Sequence, residues 1–214
     1  MRTYLTFIIL LFYSIVINAQ TTEQISAVTS EGDEVILYTN GTWEYVNEPV
    51  YEPLEIRTNP DPFEKDKSMS FLVKSKKINL GVYINPKEWG FEKGGTDDAA
   101  EYSFQKKGED IYGMLITERT SIPLITLRGI ALENARSAAP DIELIDEEYR
   151  KVNGIDLLML QMKGTIQGLE FTYYGYYYSN ENGTVQFVTY CGYNLFDEYK
   201  DDMEQILNGM VQTE

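Results

Sequence analysis

Apolar and polar positions alternate with period two through most of the chain after residue 78, and at two places the spacing changes to three and four. Alternation of that kind places successive side chains on opposite faces of a strand, whereas three-and-four spacing makes one stripe along a helix. The pattern predicts strands near 78–84, 99–106, 111–118, 142–152, 155–163, 169–179 and 184–192. A helix over about 122–138 is predicted by Leu124, Leu127, Ala131, Ala135 and Ala138. A second, over about 195–211, has Phe196, Tyr199, Met203, Ile206, Leu207 and Met210 as its apolar stripe. Asn194 fits its N-cap, with Asp197 three residues on and further acids suiting the positive end of the helix.

Between alternating segments Asn-Gly occurs at 40–41, 153–154 and 182–183, which is a strong hairpin signal. Strands joined this way form an antiparallel meander, and the helices separate it from an earlier strand group. The class is α+β: an antiparallel sheet of about seven strands sandwiched by helices, with a small N-terminal β-hairpin. Counting outward from Asn182-Gly183 sets Tyr176 opposite Thr189, Tyr174 opposite Cys191 and Gly175 opposite Tyr190. Both faces of that pair are apolar or aromatic, so each needs a covering layer. Counting outward from Asn40-Gly41 puts Ile36, Tyr38, Trp43 and Tyr45 on one face, a candidate partner-binding surface.

The first 19 residues, MRTYLTFIILLFYSIVINA, have a basic start, an apolar stretch too short to span a bilayer, and a small-residue cleavage site. They read as a signal peptide cleaved near Ala19-Gln20, which makes the protein exported, periplasmic or extracellular, with no membrane span after processing. Residues 20–47 form the hairpin segment. Residues 48–68 hold four of the seven prolines and many acids, and read as a linker, so the domain at 69–214 is expected to fold in a chain starting at residue 66.

Composition narrows the chemistry. The 214 residues include no histidine, which removes the usual general base, the Ser-His-Asp and Cys-His systems and the commonest zinc ligand. Cys191 is the single cysteine, so no intramolecular disulfide forms, and its strand setting reads as a buried thiol. The 34 acids against 18 basic side chains repel nucleic acid. Residues 171–193, FTYYGYYYSNENGTVQFVTYCGY, are crowded with aromatic rings, but 164–199 contain no Lys or Arg to hold phosphates. A packed sheet, or a surface on which sugars stack, is the reading left open. No catalytic, cofactor or metal residues emerge. Glu88, Trp89, Asp97 and Asp98 are the candidate cleft residues should two carboxylates cooperate.

VYINPKEW at 82–89 resembles the opening motif of the PsbP-like α/β/α sandwich superfamily. The strand-to-helix order after IYGMLITER, the NGIDLLMLQ strand, the aromatic hairpin and the last helix extend the resemblance over about 70–212. It implies helices on both faces of an antiparallel sheet, and a binding or assembly role without a shared active site. Pro86 and Trp89 match as structural residues only. The N-G-T-W hairpin resembles a short segment of many exported proteins and implies no activity. The expected function is a non-catalytic binding or assembly module, with an envelope protein or a small ligand as partner. The alternatives are a carboxylate-dependent, glycosidase-like hydrolase and a structural subunit of an envelope assembly.

Overall fold

A computed structural model describes residues 24–29, 33–47, 55–94 and 99–213, so the predicted signal peptide and residues 48–54 lie outside the described residues. The chain divides into two units, 1–54 and 55–214.

In the first unit, β1 (Gln24–Val28), β2 (Glu34–Tyr38) and β3 (Trp43–Tyr45) make a three-stranded antiparallel sheet in that order. The β2–β3 turn differs from the expected two-residue one. Gly41 N–H donates to the Tyr38 carbonyl and Tyr38 N–H to that of Thr42, enclosing three residues, and Gly41 is at φ 85°. Asn40 is not among the residues at positive φ, and its side chain instead accepts from the Thr42 N–H at 2.9 Å. The extra loop residue moves the register by one, pairing Leu37 with Trp43 and Val35 with Tyr45. Trp43 and Tyr45 therefore share a face with Ile25, Ala27, Val35 and Leu37, while Ile36 and Tyr38 lie on the other with Glu44. The expected single face of Ile36, Tyr38, Trp43 and Tyr45 is divided between the two.

The second unit runs β4 (Thr58–Phe63), β5 (Phe71–Lys74), β6 (Leu80–Ile84), β7 (Trp89–Lys93), β8 (Tyr102–Lys106) and β9 (Tyr112–Glu118). Helix α1 (Leu124–Ala138) follows, then β10 (Glu143–Val152), β11 (Ile155–Ile166), β12 (Leu169–Asn180) and β13 (Gly183–Gly192). A 3₁₀ turn (Tyr193–Leu195), α2 (Phe196–Leu207) and β14 (Met210–Gln212) end it. Eight strands form the main sheet, in the order β4-β10-β11-β12-β13-β9-β8-β7, and a smaller sheet has the order β14-β6-β5.

The main sheet is mixed, because β4 pairs parallel with β10. Part of the expected linker is thus a sheet strand. Pro60 and Pro62 are tolerated because β4 lies at the sheet edge and bonds on one side only. Asn153 and Gly154, at φ 48° and 84°, make the expected two-residue turn between β10 and β11. At Asn182-Gly183 the turn instead falls one residue earlier. Asn180 pairs with Gly183, which sets Tyr176 opposite Phe187 and Tyr173 opposite Tyr190. A Cβ at Gly183 would lie 2.0 Å from the Glu118 carbonyl oxygen, so β9 approaches too closely for any larger residue. The last helix ends at Leu207, a Cβ at Gly209 before β14 would lie 2.1 Å from the Tyr83 carbonyl oxygen, and Leu195 rather than Asn194 takes the N-cap position, without a side-chain bond.

One face of the sheet packs against α2 and the small sheet, around Leu115, Leu157, Met159, Tyr174, Tyr176, Phe187, Met203 and Ile206. The other packs against α1 through Leu127, Ala131, Leu158, Leu160, Tyr177 and Val188. Cys191 lies on the first face, 1% exposed, with its sulfur 3.8 Å from that of Met203. Burial pushes its thiol up to about 11. A thiol reagent at pH 8 is expected to leave the native protein unlabelled while labelling it rapidly in urea, and fast native labelling would contradict this placement.

Candidate functional site

A single helix cannot cover this sheet. Eight strands at about 4.8 Å spacing span roughly 34 Å, whereas a helix with its side chains is about 10 Å wide. Among the described residues α1 packs chiefly on β11 and β12. The same face of β13, β9, β8 and β7 is left with a trough of about 410 Å3.

Cross-strand register builds the trough. One row across the sheet runs Met162, Tyr173, Tyr190, Tyr112, Gln105 and Gly90, each paired with the next. Its three tyrosines form a ladder. The Tyr173 and Tyr190 rings lie 5.9 Å apart, and Tyr190 stacks on Tyr112 at 5.5 Å with 22° between the planes. Tyr173, the innermost, has its phenol pushed up by burial and then by Tyr190. Beyond Tyr112 the row drops to Gln105 and to Gly90, where a Cβ would meet nothing nearer than the Gln105 carbonyl at 3.9 Å. Ser103 and Glu92 complete the polar lining, the Ser103 hydroxyl donating to the Gly94 carbonyl at 2.6 Å. Tyr112 is also a wall of a second hollow of about 530 Å3, which Leu169, Phe171 and Tyr193 line.

The most charged buried cluster lies on the opposite face, under α2. Arg150, 8% exposed, donates to Glu148 at 2.5 Å, to the Tyr176 hydroxyl at 2.9 Å and to Glu204 at 2.8 Å. Its guanidinium sits 4.4 Å from the Phe63 ring centre. Arg57 and Asn59 complete the coordination of Glu148, and Arg57 forms a second pair with Asp146 at 2.5 and 2.7 Å. Burial pushes the Glu148 carboxyl up, but Asn59, Arg150 and Arg57 together hold it below the usual glutamate range. Burial raises the phenols of Tyr174 and Tyr176, keeping them protonated hydrogen-bond donors. Every member faces another protein group, so this network holds α2 and β4 to β10.

The cleft residues singled out from the sequence are described only in part. Trp89 is 2% exposed within the main core. Glu88 is exposed and closes its own turn, accepting from the Asn85 amide at 2.8 Å. Asp97 and Asp98 lie outside the described residues. Tyr112, Gln105 and Gly90 were not foreseen, because they meet only through the register of three strands; the alternation in IYGMLITE is the one local hint that Tyr112 and Leu115 face opposite ways. Of the aromatic run 171–193, Tyr174, Tyr176 and Tyr177 are sheet interior and Tyr173 and Tyr190 belong to the ladder.

No protein-family model and no curated protein matches the sequence. Among solved structures, the chain is similar to cyanobacterial PsbP (CyanoP) from Synechocystis sp. PCC 6803, with a TM-score of 0.50 and 14% identity over 66% of this chain and 91% of that one. LpqN of Mycobacterium tuberculosis, involved in cell envelope biogenesis, aligns with a TM-score of 0.49 and 11% identity over 67% of this chain and 90% of that one. The fold of the second unit is PsbP-like, as the resemblance at 82–89 implies, and at 14% identity the likeness is one of fold.

Proposed function

We propose that this protein is an exported, non-catalytic binding module that takes a small ligand in the tyrosine-walled trough. The observation that carries this reading is the part of the sheet face left uncovered among the described residues, where Tyr112 borders a hollow left open at Gly90. A concave site with an aromatic wall and a few polar groups is the usual form of a ligand pocket. The lining supports binding over chemistry. Glu92 is its one carboxylate, and the Ser103 hydroxyl is engaged by a backbone carbonyl instead of a base. Export is supported by the N-terminal sequence, and the chain carries no histidine.

A screen of the ¹⁵N-labelled full chain against neutral and cationic fragments tests this. Shifted amides should cluster at Gly90, Ser103, Gln105, Tyr112 and Gly113, and the bound fragments should be recovered unchanged. Hits confined to other surfaces, or conversion of a bound fragment, would overturn the proposal.

A second reading, assembly with an envelope protein, is favoured by the first unit. Ile25, Leu37 and Trp43 lie on one face of its sheet and are 62%, 39% and 54% exposed. Apolar surface of this kind, with a tryptophan at 5.0 Å from a tyrosine ring, is common where proteins meet. Under that reading Trp43→Ala abolishes capture of the partner and leaves the melting temperature unchanged. Ile36 and Tyr38, on the opposite face, then contribute little.

A further inference from the structure

The trough also carries information on what it binds, an inference that rests on the binding role just proposed. We propose that its ligand is an uncharged carbohydrate, with one pyranose ring stacked on the face of Tyr112 turned away from Tyr190, over Gln105 on the side of Gly90.

Geometry supplies the first argument. The ladder adds one ring per strand at 5.9 and 5.5 Å, and the last two rings are near-parallel. The next positions of that row are Gln105 and Gly90, so the far face of Tyr112 looks along the trough instead of onto another ring. A flat ligand entering there continues the ladder. Gly90 is what leaves the space, since its Cβ position is open to 3.9 Å.

Chemistry supplies the second. An aromatic face is electron-rich and attracts the weakly positive C–H groups that line one side of a pyranose. Hydroxyls around the sugar rim need both donors and acceptors. Gln105 offers one of each, the Ser103 oxygen keeps lone pairs while donating to Gly94, and Glu92 accepts.

Charge supplies the third. The lining contains Glu92 and no Lys or Arg, in a protein of net charge −16. Phosphates, nucleotides and acidic sugars are repelled from such a site. A volume of about 410 Å3 lies in the range of small-ligand sites.

The test uses the ¹⁵N-labelled full chain titrated separately with cellohexaose, chitohexaose and maltohexaose, with choline chloride and inorganic phosphate as cationic and anionic probes. At least one hexasaccharide is expected to shift the Gly90, Gln105 and Tyr112 amides saturably. Tyr112→Ala should weaken that binding about tenfold or more. Gly90→Leu, which fills the trough from a position with room for a side chain, should abolish it, and Tyr193→Ala in the neighbouring hollow should not. The carbohydrate assignment is overturned if none of the hexasaccharides moves these amides, if choline alone does, or if binding survives Gly90→Leu. Trough-binding fragments without sugar binding would end this inference and leave the binding role standing. Failure of both would end both.

Discussion

Replacing Arg150 with methionine is expected to lower the unfolding free energy by about 3–5 kcal/mol, the cost typical of removing one partner from a buried ion pair. Arg150 satisfies Glu148, Glu204 and the Tyr176 hydroxyl at once, and the methionine would leave the 4%-exposed Glu148 with Arg57 and Asn59 alone. Urea unfolding at pH 7 measures the loss. Adding Glu148→Leu to the Arg150→Met chain should recover part of it, because the stranded charge is then gone. The pH dependence gives an independent check. The Glu148 carboxyl is held below its ordinary range in the fold, so it stabilises the native state above the unfolded value of about 4.3 and loses that contribution as pH falls through the folded value. Without Arg150, burial of the carboxyl is opposed by less, and the dependence of stability on pH near and below 4 should flatten. A loss under 1 kcal/mol with an unchanged pH profile would show that the network is not closed as described.

A chain beginning at Asp66 should be less stable than one beginning at Glu55 by about 3 kcal/mol or more, despite losing only residues whose proline content suggests a linker. Those residues include β4. With it go the Phe63 ring over Arg150, the Arg57 and Asn59 contacts to Glu148, and the Phe63 carbonyl that accepts the Asn153 N–H at 2.9 Å. The edge of β10 is also opened to solvent. Urea melts of the two chains decide the matter, and equal midpoints would return residues 55–65 to the status of a tether.

Much of the second unit can be read from the sequence alone, for reasons that differ by element. Both helices are long enough for their apolar stripes to repeat several times, so α1 and α2 stand out in the spacing. The aromatic hairpin shows its two-sided burial in its alternation, and parity survives even where the register moved by one turn position. The edge strands do not announce themselves. β4 contains two prolines, β5, β7 and β14 are three to five residues each, and β4 and β14 are held by partners distant in sequence. The three Asn-Gly dipeptides between alternating segments make the same point. Asn153 and Gly154 both adopt positive φ, while at 40–41 only glycine does, and at 182–183 glycine is already in the strand. A dipeptide biases the local turn, and the pairing of whole strands selects the outcome.

The candidate site follows the same division. Local sequence determined which strands carry rings on which face, the absence of histidine chemistry and the acidity that repels phosphate, because each depends on residue type or on a period of two. The tertiary structure alone decided that Tyr112, Tyr190 and Tyr173 form one row and that its end is uncovered among the described residues. Alignment of the row requires the registers of β12, β13, β9 and β8 together. The opening exists because one helix, packed on β11 and β12, is too narrow to shield the far side of an eight-stranded sheet.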